Sequence, residues 1–158
     1  RSLRPLGRRR SRFSGDGCDS LAVGAVRYLA TASPDFLQRH CPSGATAEAL
    51  RHMPMLTYDQ KDRLQLDWLE QQFGKGCVPP THYLPSTQAF IDAARLGLGW
   101  GMNPEPLVRA DIAAGRLVPL TLPGTYDTPL FWQVPRRLKE AVAPLTRAIK
   151  AAASRHLH

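Results

Sequence analysis

The sequence has no hydrophobic run that approaches the roughly 20 residues of a membrane-spanning helix, and no apolar secretory segment follows its basic N-terminal residues. Cysteine is scarce, and Cys18, Cys41 and Cys77 form neither a CxxC motif nor an even-numbered disulfide framework. Unpaired thiols are typical of a reducing compartment. These absences favour a cytoplasmic protein.

Motifs that hold metals or perform catalysis are also missing. The cysteines and histidines lack the spacing of zinc ligands, so we expect neither a metal nor another cofactor. His82 lies near Ser86 in the sequence, but no Gly-x-Ser-x-Gly motif surrounds the serine. A pair of carboxylates at catalytic spacing and an HExxH motif are absent as well. We therefore expect a binding protein rather than an enzyme.

The formal net charge of +8 is concentrated at the two ends of the chain. Residues 1–12 contain six arginines, residues 136–158 contain six lysines or arginines and one acid, and the residues between them carry a net charge of −3. Residues 1–20 show no hydrophobic periodicity and are predicted to be a disordered basic leader. The alternative is a tail that contacts nucleic-acid phosphates without sequence preference.

From residue 21 onward, short apolar runs typical of strands alternate with segments whose apolar residues recur at helical spacing. This alternation predicts an α/β fold with a largely parallel sheet, in which ligands bind at the carboxyl ends of the strands. Ser33 and Thr46 are predicted to cap two short helices. The last predicted helix contains Pro144, which can kink it, and an apolar face of Leu138, Val142, Leu145, Ile149 and Ala152.

Residues 85–105 contain the most clearly marked helix of the chain. Ser86 or Thr87 is predicted to cap its N-terminus, and Gly97 occupies the position where a left-handed residue ends a helix. The apolar face of this helix is predicted to consist of Phe90, Ala93, Ala94 and Leu96. The stretch therefore resembles one wall of a ligand cleft.

A glycine-spaced strand is predicted directly after this helix. Gly99 and Gly101 alternate there with larger residues, which is typical of a strand approached closely by another backbone or by a ligand. Another strand is expected from Leu117 to Leu122. Asn103 and Pro104 are predicted to open a helix between the two strands, with proline at its first position.

Four phrases of the sequence, SPDF, TYDQKDRLQ, HYLPSTQAF and LGLGWGMNPEPLVRADIAAGRLVPL, give it a family resemblance. Over residues 21–155 the chain resembles the effector-binding, or substrate-binding, domain of LysR-type transcriptional regulators. HYLPSTQAF, GLGWGM and the KDxLQ pattern are similar to the arginine- and lysine-responsive ArgP/LysG branch of that family.

The resemblance implies an α/β fold like that of the type 2 periplasmic binding proteins. Residues 21–122 would form one nearly complete lobe, and residues 123–158 a strand and helix of the other lobe. Relative to the family the chain looks N-terminally truncated, since a winged helix-turn-helix that binds promoter DNA would precede it. The intact family members are implied to be homo-oligomers that sense a small-molecule effector, here a basic amino acid.

An amino acid effector requires groups for its carboxylate and for its cationic end. Ser86 and Thr87, at a helix N-terminus, can bind the carboxylate, although capping alone also explains them. Asp62 and then Asp59, just past a strand end, can bind the cation, or they are acids stabilised at the start of a helix. Both alternatives stay open for both pairs.

Two aromatic residues complete the predicted effector site. Tyr83 and Trp100 can pack on the aliphatic stem of the ligand. Trp100 has a competing interpretation as a core residue, because its strand is expected to be covered on both faces. A solute-binding module of a transport system shares the fold and is the rival function, together with a non-functional truncated regulator.

Overall fold

The computed structural model describes residues 17–120 and 124–158. The predicted leader falls mainly on residues 1–16, outside the described residues, and its last three positions, 18–20, lie in the first strand. The elements in chain order are β1 (Cys18–Ala32), α1 (Pro34–His40), α2 (Ala47–His52), β2 (Met55–Thr57), α3 (Leu64–Phe73), β3 (Thr81–Tyr83), α4 (Thr87–Arg95), β4 (Gly101–Pro104), α5 (Glu105–Ala113), β5 (Val118–Pro119), β6 (Thr125–Pro135), a 3-10 turn (Arg136–Leu138) and α6 (Ala143–His156).

These elements form two compact units. One unit contains residues 27–127, and the other contains residues 17–26 and 128–158 of the described chain. β1 and β6 contribute residues to both units, so each unit boundary falls within a strand. The division into lobes at residues 21–122 and 123–158 stays a prediction.

The strands of the larger unit belong to two sheets, one with antiparallel pairings and one parallel. β1 lies between β4 and β5 and runs antiparallel to both. β2 and β3 pair in parallel, and a parallel bridge between Met55 and Trp100 links β2 to the start of β4. Strands β2, β3, β4 and β5 therefore run in one direction, and β1 opposes them. The prediction of a largely parallel sheet was wrong, because β1 pairs antiparallel with both β4 and β5. Apolar patterning cannot reveal that reversal, because it carries no information on strand direction.

The predicted helix caps are confirmed. Ser33, Thr46 and Ser86 each precede a helix and accept a hydrogen bond from the backbone N–H three residues later, at 3.2 to 3.3 Å. Each bond satisfies one of the N–H groups that a helix leaves without an internal acceptor. Gly97 has a φ of +73°, the left-handed conformation expected at the end of α4.

Several predicted boundaries were wrong. Leu96 lies at the end of α4 and is 77% exposed, while Ile91 is buried on the apolar face instead. β4 includes Asn103 and Pro104, and α5 begins only at Glu105. The predicted strand at residues 117–122 shortens to β5, with residues 121–123 outside the described chain.

The last helix also differs from its prediction. α6 begins at Ala143, so Pro144 lies in its first turn and does not kink its interior. Proline fits there because that N–H would have no helical acceptor in any case. Leu138 lies in the preceding 3-10 turn rather than in the helix. Helical spacing alone did not distinguish one long helix from a turn followed by a shorter one.

The smaller unit is held by contacts between β1, β6 and α6. Ala25 and His158 exchange two backbone hydrogen bonds of 2.8 and 3.0 Å. The Trp132 indole N–H donates to the Thr146 hydroxyl at 3.1 Å. Asp19 accepts hydrogen bonds from Lys139 and Arg136, which lower the pKa of its carboxyl group.

Two apolar clusters make up the core of the larger unit, and β4 separates them. Trp100 and Met102 belong to a cluster with Phe36, Leu50, Met53, Trp68 and Leu69, whereas Phe90 belongs to a second cluster with Leu56, Ile91, Val108 and Leu117. The glycines at positions 99 and 101 allow residues of the second cluster to approach the strand closely. A Cβ atom on Gly101 would lie 2.5 Å from Phe90 Cζ, and one on Gly99 would lie 2.8 Å from Leu56 Cδ2. A Cβ atom on Gly99 would also lie 2.9 Å from the Pro54 carbonyl oxygen, which confirms the predicted approach of another backbone there, whereas at Gly101 the neighbour is a side chain.

Gly101→Ala should therefore destabilise the protein. The added methyl group overlaps the Phe90 ring, and relief of such overpacking costs about 1–3 kcal/mol of unfolding free energy. Urea unfolding followed by circular dichroism measures the change. The double variant with Phe90→Leu removes the overlapping ring atoms and should recover part of the loss. If the two substitutions are simply additive, this packing argument is wrong.

A charged cluster joins the C-terminal ends of α4 and α5. Asp111 is 1% exposed and accepts hydrogen bonds from Arg95 (3.0 and 2.7 Å) and from Arg116 (2.6 Å). Arg95 also donates to Asp92 at 2.8 Å. The hydrogen bonds from Arg95 and then Arg116 outweigh the effect of burial and lower the pKa of Asp111. Asp111 therefore stays ionised inside the fold.

Asp111→Asn should lower the free energy of unfolding at pH 7 by about 2 kcal/mol, because charged hydrogen bonds are lost at a buried position. The Asp111 pKa is lower in the folded state than its ordinary value of 3.8. Its contribution to the free energy of unfolding is therefore complete above 3.8 and is lost as the pH falls from there through the lower folded-state pKa. Urea unfolding at pH 7 and pH 3 should show the variant approaching the wild type at the lower pH. Glu70→Gln, in an exposed pair with Arg63, should change stability by under about 0.5 kcal/mol. A pH-independent difference would contradict the assignment.

Candidate functional site

A cavity of about 240 Å³ lies in the larger unit at the carboxyl ends of β2 and β4. Tyr58 follows β2, Pro104 ends β4, and Tyr28 of β1 lies opposite Pro104 in the sheet register. Its lining consists of Tyr28, Tyr58, Asp62, Leu64, Gln65, Thr87, Phe90, Met102, Asn103 and Pro104. This is the place where ligands were expected from the strand order.

The N-terminus of α4 forms one side of the cavity. Ser86 caps the helix through its hydroxyl, which accepts the Ala89 N–H at 3.3 Å, so this serine has a structural role. Thr87, in the first position of the helix, lines the cavity itself. Helix geometry leaves the N–H groups of Thr87 and Gln88 without an acceptor inside the helix. Thr87 and these N–H groups can bind an anion at the positive end of α4.

Asp62 supplies negative charge to the same cavity. Its two carboxylate oxygens accept the backbone N–H groups of Tyr58 at 3.2 Å and Leu64 at 3.0 Å. Each oxygen keeps lone-pair capacity for a further donor. Asp59 is exposed, does not line the cavity, and accepts the N–H groups of Lys61 at 2.7 Å and Asp62 at 2.9 Å. Asp59 thus shapes the turn that holds Asp62.

Trp100 and Tyr83 do not line the cavity. Trp100 is fully buried in the core, with its ring 5.4 Å from that of Trp68, in agreement with the competing core interpretation. Alternation along the strand places Trp100 on the face opposite Gly99 and Gly101, away from Phe90. Tyr83 ends β3 and is 53% exposed.

Sequence reasoning missed most of the cavity lining. Tyr58 directly follows a buried strand and could have been found by the same argument as Asp59. Tyr28 and Asn103 line the cavity because β1 pairs with β4, a pairing between distant segments that the sequence does not reveal. The Asn103 amide donates to the Thr31 hydroxyl at 3.0 Å, and both residues are buried. Gln65 lies within a helix and carried no signal of its own.

A model of the LysR substrate-binding domain matches residues 6–154. The chain therefore belongs to the LysR substrate-binding domain family, whose effector domains have the periplasmic-binding-protein type 2 fold. Proteins of this family are transcriptional regulators.

The relatives of this chain include transcriptional regulators named ArgP and LysG. The transcriptional regulator ArgP of Pseudomonas aeruginosa is 41% identical over 138 residues, which cover 87% of this chain and 45% of that protein. The chain thus spans less than half the length of this relative. Among the described residues no helix is long and apolar enough to cross a membrane.

Solved structures agree with this family. The C-terminal domains of a LysR family protein from Agrobacterium tumefaciens superpose with a TM-score of 0.86 at 46% identity, covering 90% of this chain and 69% of that chain. Full-length LysG from Corynebacterium glutamicum with bound effector Arg has a TM-score of 0.78 at 29% identity, covering 94% of this chain and 50% of that chain.

The surroundings of Tyr28 in the cavity predict a measurable change in its pKa. Burial first, and the negative charge of Asp62 second, raise the pKa of the Tyr28 phenol above 10.0. Asp62→Asn should therefore lower the pKa of Tyr28, which stays raised because burial remains. Carbon-13 NMR of the tyrosine rings, assigned with Tyr28→Phe, reports the shift. Asp67→Asn on the outer side of α3 should leave Tyr28 unchanged, and an equal effect of both variants would contradict a local interaction.

Proposed function

We propose that this chain is the effector-binding part of a LysR-type transcriptional regulator and that it senses a basic amino acid, arginine or lysine. The observation that carries the proposal is that one cavity is lined both by Thr87, at a helix N-terminus, and by the carboxylate of Asp62. An amino acid with a cationic side chain has the complementary pair of charges. The bound arginine of Corynebacterium glutamicum LysG supports the same ligand class.

The proposed binding mode assigns each end of the ligand. The ligand carboxylate accepts hydrogen bonds from Thr87 and the first N–H groups of α4, where the helix dipole favours an anion. Asp62 pairs with the ligand cation, which would otherwise be costly to desolvate. Phe90 and Met102 contact the aliphatic stem.

The remaining predicted residues take supporting roles in this proposal. Ser86 fixes the end of α4, and Asp59 fixes the turn before Asp62. Tyr83 is proposed to contact the ligand only at the exposed edge of the site. We assign no ligand contact to Trp100, because it is fully buried in the core.

The intact regulator is proposed to be a cytoplasmic homo-oligomer that binds promoter DNA through a winged helix-turn-helix outside this chain. Effector binding would shift the population of its DNA-binding arrangements, since a ligand favours whichever state it binds more tightly. A solute-binding module would use the same fold. The match to regulators over residues 6–154 favours the regulator.

Isothermal titration calorimetry on the 158-residue chain tests the proposed ligand class. Arginine and lysine should bind, and norleucine, which has a similar stem without a terminal cation, should bind at least about tenfold more weakly. Asp62→Asn should weaken arginine binding by at least about tenfold, because the ligand cation loses its partner.

Asp67→Asn is the matched control, since Asp67 is an acid on α3, the helix that follows Asp62, and pairs with Arg63 at the surface. It should bind arginine like the wild type. The proposal is wrong if arginine and lysine do not bind at millimolar concentration, or if norleucine binds as tightly as they do.

A further inference from the structure

Gln65 is a buried polar residue in the wall of the same cavity. It occupies the second position of α3 and is 1% exposed. Its side-chain oxygen Oε1 has no hydrogen-bond partner among the described residues. Buried amide oxygens are nearly always paired, because they lose their hydrogen bonds to water on burial. An acceptor left open on a cavity-lining residue can be paired by a donor that a ligand or a water molecule brings to the cavity.

Two other polar residues of the cavity wall have hydrogen-bond partners within the chain. Asp62 accepts two backbone N–H groups, and Asn103 donates to Thr31. Five buried side-chain atoms of the described residues lack a partner, and the Gln65 oxygen is the one that belongs to a cavity-lining residue. Among these five atoms, the Gln65 oxygen is therefore the candidate for pairing with a bound ligand.

Gln65 lies close in the chain to the carboxylate proposed to bind the ligand cation. The positive end of α3 disfavours a cation near its first turn, and the Asp62 carboxylate offsets that effect. A carboxamide oxygen adds a directional acceptor without a second negative charge to desolvate. The pair thus fits a ligand group that carries both a positive charge and several N–H donors.

We infer that Gln65 Oε1 accepts a hydrogen bond from the cationic end of the effector, and that Gln65 with Asp62 selects side chains that end in an N–H-bearing cation. Guanidinium and ammonium groups both satisfy this requirement. An aliphatic end of the same length leaves the oxygen unpaired and is rejected for that reason. The inference rests on the proposed function and adds to it a residue that determines specificity.

Calorimetry with two ligands tests the inference. Arginine carries the guanidinium, whereas norvaline has arginine's stem without it. Gln65→Met keeps an unbranched side chain of similar length but removes the acceptor. It should weaken arginine binding by about tenfold or more and change norvaline binding by less than about twofold. Gln72→Met, an exposed glutamine on the same helix, should leave both affinities unchanged.

The outcomes separate this inference from the proposed function. If wild-type protein binds arginine and Gln65→Met binds it equally well, the inference is overturned and the proposed function stands. If Gln65→Met weakens both ligands equally, Gln65 has a packing or water-binding role and the inference is also overturned. If the wild type binds neither arginine nor lysine, the proposed function fails, and the inference fails with it. If it binds lysine but not arginine, the proposed function stands, and the same comparison is made with lysine and norleucine.

A second variant covers the case in which Gln65→Met does not fold, as judged by circular dichroism. Gln65→Glu retains a side-chain oxygen acceptor at the same position. It should bind arginine at least as tightly as the wild type does, with norvaline binding no better than before. Loss of arginine binding in a folded Gln65→Glu protein would count against the acceptor role.

Discussion

The close approach of α4 to β4 at Gly101 is the constraint on which the site depends. No residue with a Cβ atom fits there without displacing the Phe90 ring, so the glycine fixes how near the helix lies to the strand. That distance sets where the N-terminus of α4 meets the cavity. The Ser86 cap then holds the first turn in place. The packing of the cluster around Phe90 therefore also determines the geometry of the proposed carboxylate site.

Charge is handled differently at the two ends of α4. At its C-terminal end, Asp111 is enclosed by Arg95 and Arg116, so each buried charge there has a partner within the chain. At its N-terminal end, the first N–H groups of the helix have no acceptor within it. Hydrogen-bonding capacity is also unused on two residues that line the neighbouring cavity, Asp62 and Gln65. A stable fold needs the first arrangement, and a receptor for a charged molecule needs the second.

Local signals allowed much of this architecture to be predicted. Ser33, Thr46 and Ser86 cap helices through hydrogen bonds within four residues, and Gly97 ends α4 through its own backbone conformation, so sequence reasoning found them. Tyr28 and Asn103 line the cavity through the pairing of β1 with β4, and Gln65 lines it from inside a helix. Those placements depend on residues far along the chain. Trp100 shows the same limit, since only the packing of both faces of β4 decides between core and site.

The reversed strand β1 has a consequence for synthesis of the protein. Tyr28 pairs with Pro104, 76 positions later, and Thr31 pairs with Pro119. At a translation rate of about 5–20 residues per second, β1 leaves the ribosome several seconds before either partner exists. During that interval its apolar residues and unpaired backbone groups are open to other chains. We therefore expect the nascent protein to need protection along β1 until β4 has emerged.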